Sequence, residues 1–562
     1  MKFIFFFLSL FFLVGAPSFS QNNQLNNKDL WYKNSIIYNL DVRTFKDSNG
    51  DGFGDFNGLT SKLNYLKRLG VEIIWLAPFQ PSPLLDDGYD IADFCAIDTR
   101  CGTQKDFAEF MKQAKVHGIR VIMDMVINHT SDRHQWFKQA EKSDTSKYHS
   151  WYVWTKNRPK DYNKGMVFPG VQNEIWSIDL KLNEYYYHRF YKFQPDLNYD
   201  NPKVKAEAYH ILSYWLKQGM DGFRLDAVPF IIEKMQPGVK DPDHDFNFIT
   251  QMRQFVQTQK PDAFLLGEAN VLPKENVNYF GKNGERMQML FNFFANQHLF
   301  YALATGQLSD YKKALKQTNN IPPSSQWAIF LRNHDEIDLG RLTKKQRNAV
   351  YAQMGPQKNM QLYNRGIRRR VITMLHNPAE LKMAYSLLFS LPGTPVMRYG
   401  DEIGMGDDLS LRERLSVRTP MQWSDEKNAG FSNAAKIFRP VISKGEYNYH
   451  KVNVAAEEKD PASLLNWMTK LVKERKDCPE FGYGNYKIIP SGSPRVLAIR
   501  YTYLGKTIVT LHNFSNKKQQ VKLFVQGKSI TDLLDSKTEI DLQNHQSTIA
   551  LKGYGYKWFR VN

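Results

Sequence analysis

The chain has 562 residues, of which 42% are hydrophobic and 23% are charged. This composition is typical of globular proteins and excludes a disordered, collagen-like or coiled-coil chain. The net charge of +18 arises from basic residues interleaved with acidic ones, a distribution that favours solubility or an anionic cell surface over nucleic acid binding.

The N-terminal residues have the pattern of an export signal. Lys2 precedes an apolar run over 3–14, and small residues including Ser18 and Ser20 follow it. This pattern predicts a secretory signal over residues 1–20 and a secreted or periplasmic protein. The run is shorter than the roughly 20 residues that a membrane-spanning helix needs, so no membrane span is expected.

The three cysteines are too few for a disulfide scaffold. In an oxidising compartment Cys95 and Cys101 are close enough in sequence to bridge, although two free thiols remain the alternative. Cys478 has no evident partner.

From about residue 30 to 475, short apolar runs alternate with amphipathic stretches. The helical spacing of leucines over 59–69 stops at Gly70, and eight runs have strand character. The predicted strands are 35–40, 71–76, 119–123, 222–225, 264–266, 289–291, 327–331 and 394–397. This alternation predicts a (β/α)₈ TIM barrel, whose active site lies at the C-terminal ends of the strands.

The intervals between predicted strands indicate how the domains are arranged. The interval from Asp124 to Asp226 is too long for one crossover and contains many aromatic residues, so we expect an inserted lobe after the third strand. A predicted helix over 462–476 precedes alternating strands, which indicate an antiparallel β-sandwich. The expected boundaries are 28–129 for the first barrel part, 130–200 for the lobe, 201–478 for the second barrel part, and 485–562 for the C-terminal domain.

Four segments at predicted strand ends carry clustered polar residues. They are Asp124–His129, Gly222–Asp226, Gly267–Asn270 and Arg332–Asp335. Because strand ends of a barrel share one rim, these segments converge. Burying several carboxylates together costs several kcal/mol unless charges are paired or protons shared, so the pattern indicates a catalytic pocket. Motifs of nucleotide, zinc-protease and serine-hydrolase chemistry do not occur in the sequence.

In this order and spacing, the segments resemble the conserved regions of the alpha-amylase family of glycoside hydrolases and transglucosidases. The resemblance covers nearly the whole mature chain. The segment Gln194–Asn198 resembles the corresponding segment of one branch of this family. That branch contains oligo-1,6-glucosidases, alpha-glucosidases, sucrose isomerases and trehalose synthases. Four longer motifs are most similar to trehalose synthases, namely 330–336, 366–370, 400–405 and 418–423.

The resemblance implies catalytic roles for three acids. Asp226 matches the nucleophile, Glu268 the general acid/base, and Asp335 the acid that stabilises the transition state. Arg224 lies two residues before Asp226 on the same strand and therefore points to the same side, where its cation keeps Asp226 ionised. Glu268, crowded by the two other acids, is expected to have the raised pKa that a general acid requires near neutral pH.

The resemblance also implies substrate contacts. His129 and His334 match the pair that donates to hydroxyl groups of the reactive sugar, and Asp86 and Tyr89 match the floor of its subsite. Arg418 matches an arginine that pairs with Asp86 and closes the far end of the pocket. A closed end implies that a single terminal glucose of a small alpha-glucoside or oligosaccharide is removed or moved.

The loop over 47–55 places oxygen atoms at every second residue, like the first half of a calcium loop. Its twelfth position is Gly58, so the glutamate of an EF-hand is missing. In the resembled branch a structural Ca²⁺ binds to side chains here and to one carbonyl, and the matching residues are Asp47, Asn49, Asp51 and Asp55, with the carbonyl of Phe53. A solvated acidic turn is the alternative, and no organic cofactor is expected.

The expected activity is therefore retaining transfer from an alpha-glucoside through a glucosyl-Asp226 intermediate, as in trehalose synthases that interconvert maltose and trehalose. The alternative is a secreted exo-acting alpha-glucosidase or oligo-1,6-glucosidase. The predicted export signal and the segments 396–399 and 409–416 depart from the trehalose synthase pattern, and Val228 resembles members that accept alpha-1,6 links. An inactive ectodomain used for binding is disfavoured, because all three acids are present.

Overall fold

The computed structural model describes residues 30–562, apart from 236, 239–241 and 536–537. Its centre is a closed barrel of eight parallel strands that neighbour one another in chain order. We number them β1 Ile37–Leu40, β2 Ile73–Leu76, β3 Arg120–Met125, β4 Gly222–Leu225, β5 Phe264–Gly267, β6 Met289–Phe291, β7 Gln326–Phe330 and β8 Thr394–Arg398. The predicted fold class, a (β/α)₈ barrel with an inserted lobe and a C-terminal antiparallel β domain, is confirmed.

Helices connect the strands and cover the outside of the barrel. The helix predicted over 59–69 consists of two shorter helices, and the second ends at Gly70 in the left-handed conformation with φ of 91°. Described helices of the barrel region are Val42–Phe45, Phe56–Ser61, Leu63–Leu69, Gln104–Val116, Pro202–Lys217, Val228–Ile231, Phe246–Gln259, Asn276–Phe280, Phe293–Thr305, Ser309–Gln317, Lys344–Met354, Val371–Met374, Pro378–Ser390, Val454–Lys459, Leu464–Lys476 and Glu480–Tyr483.

The inside of the barrel changes from apolar to charged along the strands. Buried apolar side chains such as Ile122, Leu266 and Phe291 fill the lower layers. At the C-terminal ends, Asp124 of β3 lies opposite Arg224 of β4 in the strand register. Because alternate strand residues face the same side, this register brings a carboxylate and a guanidinium together beneath the rim.

The segment between β3 and β4 forms the inserted lobe. It contains the helix Gln135–Ala140 and a three-stranded antiparallel sheet of Trp154–Thr155, Trp176–Asp179 and Glu184–Tyr187. Phe137 packs against Tyr152, Trp154 and Tyr186 at ring-centroid distances of 5.0, 5.7 and 5.2 Å, so aromatic rings form much of the lobe's own core. A second small sheet follows β7 and consists of Ile337–Asp338, Gln361–Leu362 and Gly366–Ile367.

The C-terminal domain consists of two antiparallel sheets. The larger contains Asn485–Ile488, Val496–Tyr503, Lys506–Asn513, Ser529–Asp532, Glu539–Asp541 and Tyr556–Val561, and the smaller pairs Gln519–Phe524 with Gln546–Leu551. Trp558 is buried and donates to the hydroxyl of Ser386 on a barrel helix at 3.1 Å. Trp558 therefore packs the C-terminal domain against the barrel.

Three further predictions concern the chain as a whole. Among the described residues Cys95, Cys101 and Cys478 are all free thiols, so of the two alternatives for Cys95 and Cys101 the structure has free thiols and not a bridge. Within residues 30–562 as described, no helix is long and apolar enough to span a bilayer. The predicted signal over 1–20 lies outside the described residues.

Candidate active site

A cavity of about 860 Å³ opens at the C-terminal ends of the barrel strands. Such a volume lies within the roughly 300–1,000 Å³ range of small-molecule sites. Six of the predicted site residues line this cavity, namely Asp86, Tyr89, His129, Asp226, Glu268 and Asp335.

Arg224 is the buried cation at the base of this cavity. Its guanidinium contacts Asp124 at 2.7 Å, Asp226 at 2.5 Å and Glu268 at 2.8 Å. Asp226 directly follows β4 and Glu268 directly follows β5, so the strands themselves fix both backbones. The predicted contact between Arg224 and Asp226 is therefore present, and the same arginine also binds Asp124 and Glu268.

The shared guanidinium limits the distance between the two principal carboxylates. Asp226 binds Nη1 and Glu268 binds Nη2. Since these nitrogens belong to one planar fork, the bound oxygens of Asp226 and Glu268 lie within about 8 Å of each other. The backbone N–H of Ala227 also donates to Glu268 at 3.2 Å. A single sugar in the cavity can thus contact both carboxyl groups.

Burial raises the pKa of both groups, by different amounts. The pKa of Asp226 rises to about 6 through burial, with Arg224 opposing the shift. Burial raises the pKa of Glu268 to about 7, again against Arg224 and with help from the charges of Asp226 and Asp335. Near neutral pH, Asp226 is therefore the group that ionises more readily, and Glu268 is the one that retains a proton more readily.

Asp335 lies beyond β7 and is held by three side chains. Arg414, Arg418 and His334 contact it at 2.9, 3.0 and 3.1 Å. Burial opposes its ionisation, but these neighbours outweigh burial and hold the pKa of Asp335 well below its usual value. Asp335 is therefore a permanently charged group in the wall of the cavity.

Tyr89 links two walls of the cavity. Its hydroxyl lies 3.0 Å from Asp124 and 2.6 Å from Nε2 of His334, and its ring stacks on the His334 ring at 5.3 Å. Nε2 of His129 lies 3.1 Å from the backbone carbonyl of Tyr89. Burial lowers the pKa of His129 to about 4 and of His334 to about 3, so both rings are neutral hydrogen-bonding groups.

The structure corrects the predicted partner of Asp86. Arg414, not Arg418, forms the ion pair with Asp86, and Gln194 donates to the same carboxylate at 3.0 Å. Arg418 instead contacts the neighbouring Asp87 at 2.9 Å and also reaches Asp335. The reason is positional: Arg414 lines the cavity, whereas Arg418 lies in the layer behind it.

Several cavity residues were not predicted from the sequence. Arg414 lies in the segment 409–416, whose departure from the family pattern was the only signal that marked it. The remaining unpredicted lining residues include apolar and charged side chains, among them Phe168, Phe190, Phe230, Glu336, Asp338, Arg341 and Arg365.

The loop over 47–55 has a calcium-like donor set, but its first residue is already engaged. Both oxygens of Asp47 accept hydrogen bonds, from the backbone N–H groups of Asn49, Gly50 and Gly52 and from the hydroxyl of Ser432. These bonds occupy its roughly four lone-pair positions. The predicted ligands Asn49, Asp51 and Asp55 and the carbonyl of Phe53 are all hard oxygen donors, which suit Ca²⁺. No group of three or more His, Cys, Asp or Glu in the described part of the chain is arranged for a metal.

The site lies at the rim of a barrel and has two buried carboxyl groups, Asp226 and Glu268, on one guanidinium, together with the ionised Asp335. This arrangement defines an enzyme of the glycoside-cleaving class. Comparison with known proteins agrees. The alpha-amylase catalytic domain matches residues 40–484, and a sucrose hydrolase-like C-terminal domain matches residues 505–560. The chain therefore belongs to the alpha-amylase family, and it is a glycoside hydrolase or transglucosidase.

Individual relatives span almost the whole chain. The trehalose synthase/amylase TreS of Mycolicibacterium smegmatis is 37% identical over 97% of this chain and 95% of its own. An oligo-1,6-glucosidase of Parageobacillus thermoglucosidasius is 29% identical over 95% of this chain and 99% of its own. The crystal structure of the trehalulose synthase MutB from Pseudomonas mesoacidophila MX-45 is 26% identical, with a TM-score of 0.75 over 95% of this chain and 99% of that one. The trehalose synthase and trehalulose synthase relatives support alpha-glucosyl transfer as a chemistry of the alpha-amylase family.

Proposed function

We propose that this protein is a trehalose synthase-like transglucosidase that moves a glucosyl group within maltose to give trehalose. The observation that carries the proposal is the single guanidinium of Arg224, which binds both Asp226 and Glu268, in a chain that aligns with a trehalose synthase/amylase over almost its full length.

The proposed mechanism assigns one role to each carboxyl group. Ionised Asp226 attacks the anomeric carbon and forms a glucosyl ester, while protonated Glu268 delivers its proton to the departing glycosidic oxygen. Glu268, now ionised, then takes a proton from the acceptor hydroxyl, which attacks the same carbon and releases Asp226. The order of the two pKa values, about 6 for Asp226 and about 7 for Glu268, supports this division of roles.

Neighbouring groups stabilise the transition state and orient the sugar. Asp335 stays ionised, so its negative charge faces the positive charge that develops on the sugar ring. Neutral His129 lines the cavity and is suited to hydrogen-bonding sugar hydroxyls, whereas His334 lies outside the lining and contacts Tyr89 and Asp335. The Asp86–Arg414 ion pair closes the cavity behind the terminal glucose. A pocket closed in this way favours a single terminal glucose as the transferred group.

The identity of the acceptor distinguishes transfer from hydrolysis. If the released glucose stays in the cavity, it can attack through its anomeric hydroxyl and give trehalose, whereas water gives free glucose. The test is to incubate purified protein with maltose and to resolve trehalose, maltose and glucose by chromatography over time. We expect trehalose to form ahead of glucose, and no product from the Asp226→Asn variant. Glucose without trehalose would refute the transfer proposal and favour the exo-acting alpha-glucosidase alternative.

We further propose that the loop over 47–55 binds a structural Ca²⁺. Asn49, Asp51, Asp55 and the Phe53 carbonyl would hold the ion, and Asp47 would have to give up one hydrogen bond to join them. A ligand that binds only the folded state stabilises it, by about 2.7 kcal/mol at one hundred times its Kd. Chelation should therefore lower the Tm, and the Asp51→Ala variant should lose this response. A Tm that chelation leaves unchanged would refute the calcium proposal.

We also propose that residues 1–20 direct export and are cleaved after Ser20. N-terminal sequencing of protein recovered from the medium or periplasm should begin at Gln21. Recovery of the full N-terminus from the cytoplasmic fraction alone would contradict export.

A further inference from the structure

The Asp86–Arg414 ion pair separates two cavities. Beyond the main cavity of about 860 Å³ lies a second cavity of about 130 Å³, and both Asp86 and Arg414 line the two of them. The second cavity continues the path away from Asp226 and Glu268, past the closed end. We call the Asp86–Arg414 pair the wall.

Glu413 holds the backbone beside this wall. Its φ of 42° lies in the left-handed region that non-glycine residues rarely adopt. Its Oε2 atom accepts hydrogen bonds from the hydroxyls of Tyr191 and Tyr363, the latter at 2.7 Å. These two hydroxyls are 3.2 Å apart. Tyr191 belongs to the inserted lobe, and Tyr363 lies in the turn between two strands of the small sheet after β7. Glu413 therefore joins two separate parts of the fold to the segment that carries Arg414.

An aromatic cluster completes the arrangement. The Phe168 ring centroid is 4.9 Å from the guanidinium carbon of Arg414. The same ring packs on Tyr191 at 4.8 Å and on Tyr363 at 4.6 Å. Arg414 is thus fixed by Asp86, by Asp335 and by the face of Phe168, while Glu413 anchors the tyrosines that support Phe168. We call Glu413, Tyr191, Tyr363 and Phe168 the clamp.

We propose that Glu413 is a positioning residue that keeps the wall closed, and that the second cavity is a latent subsite for a further glucose unit at the non-reducing end. The proposal rests on the proposed function in one respect, because it takes the terminal glucose to lie between the wall and Asp226. When the clamp is loosened, Arg414 moves from its position, the two cavities join, and a disaccharide unit fits where only one glucose fitted before.

The experiment uses p-nitrophenyl alpha-maltoside as the probe. With the wall closed, the enzyme removes the terminal glucose and leaves p-nitrophenyl alpha-glucoside. With the wall open, a maltosyl unit spans both cavities, and maltose is released together with p-nitrophenol. We expect Glu413→Ala to raise the initial ratio of maltose to glucose about tenfold, a typical effect of admitting or excluding one substrate group. We also expect the KM for maltose to rise more than kcat falls, because Arg414 contacts the terminal glucose both before and during reaction.

Two further variants separate positioning from stability. Glu413→Gln keeps a side-chain carbonyl for the tyrosine hydroxyls and should restore the wild-type ratio. Tyr191→Phe combined with Tyr363→Phe keeps both rings but removes both donors, and should act in the same direction as Glu413→Ala. The exposed Asp425, which lines neither cavity, supplies the control variant Asp425→Ala.

The outcomes are decisive in each case. A folded Glu413→Ala variant with the wild-type KM and the wild-type ratio of maltose to glucose would overturn the proposal, as would a lower Tm with an unchanged ratio. If Glu413→Ala does not fold, the double phenylalanine variant decides by the same ratio. Trehalose formation from maltose is measured in parallel: if wild-type protein makes only glucose, the proposed acceptor is wrong, while the ratio of products still tests the wall.

Discussion

Replacing Arg224 with glutamine tests the electrostatic design of the site. The guanidinium is within 2.8 Å of both Asp226 and Glu268 and is fully buried. An opposite charge this close lowers a carboxyl pKa by about 1–3 units. Because the cation stabilises the ionised carboxyl, its removal raises both pKa values, and the whole pH profile moves to higher pH.

The expected loss of activity follows from the pKa of Asp226. With a shift of about two units, the pKa of Asp226 moves from about 6 to about 8. At pH 6 its ionised fraction falls from about one half to about one hundredth, so kcat/KM at pH 6 falls about fifty-fold, or by about 2.3 kcal/mol of transition-state stabilisation. The optimum itself moves about two units towards alkaline pH, because the pKa of Glu268 rises as well.

The assay is the pH dependence of kcat/KM on maltose for wild type and Arg224→Gln, with circular dichroism to establish that the variant is folded. Arg100→Gln is the matched control, because Arg100 also pairs with a buried carboxylate, Asp98 at 2.5 Å, but lies outside the cavity. An Arg224→Gln profile that keeps the wild-type optimum while activity falls equally at every pH would refute the electrostatic role.

Two other predictions concern the wild-type profile and the layer behind the site. The pH profile of wild-type kcat/KM should be bell-shaped. It should fall below about pH 6, where Asp226 takes up a proton, and above about pH 7, where Glu268 loses one. A profile that stays flat from pH 5 to 8, roughly one unit beyond each limb, would contradict these roles. Asp87→Asn should lower the free energy of unfolding by about 3–5 kcal/mol, because it removes the carboxylate that pairs with buried Arg439 and one of the two that pair with buried Arg418. The pKa of Asp87 is depressed by these arginines despite its burial, so its contribution to stability is present above the unfolded pKa of about 3.9 and is lost as pH falls through the lower folded value. Urea unfolding at pH 7 and at pH 3 measures both effects, and equal stability of variant and wild type at pH 7 would contradict the prediction.

Much of the barrel could be predicted from local sequence patterns. The strands 222–225 and 289–291 have the predicted bounds, because 289–291 is a short apolar run and 222–225 has a single charged residue, Arg224, in a short run with a clear end. The positions of Asp226 and Glu268 followed from the same argument, since both directly follow a strand and strand ends share one rim.

The far end of the cavity could not be predicted in the same way. Arg414 pairs with Asp86 across 328 residues, and such a pair leaves no periodic signal in the sequence. The segment around Arg414 has only a short 3₁₀ helix, Glu413–Val417, so no strand or long helix fixes its side-chain directions. The family pattern indicated Arg418 because it lies in a longer motif, and the structure shows that this arginine supports Asp87 instead.

The most direct measurement of the central claim is to trap the covalent intermediate. A fluorinated glucosyl substrate that forms the ester rapidly and loses it slowly is incubated with the protein, and the digested chain is examined by mass spectrometry. We predict one glucosyl adduct, on the peptide that contains Asp226, and its absence from the Asp226→Asn variant. Turnover of substrate with the adduct on a different carboxylate would contradict the assignment.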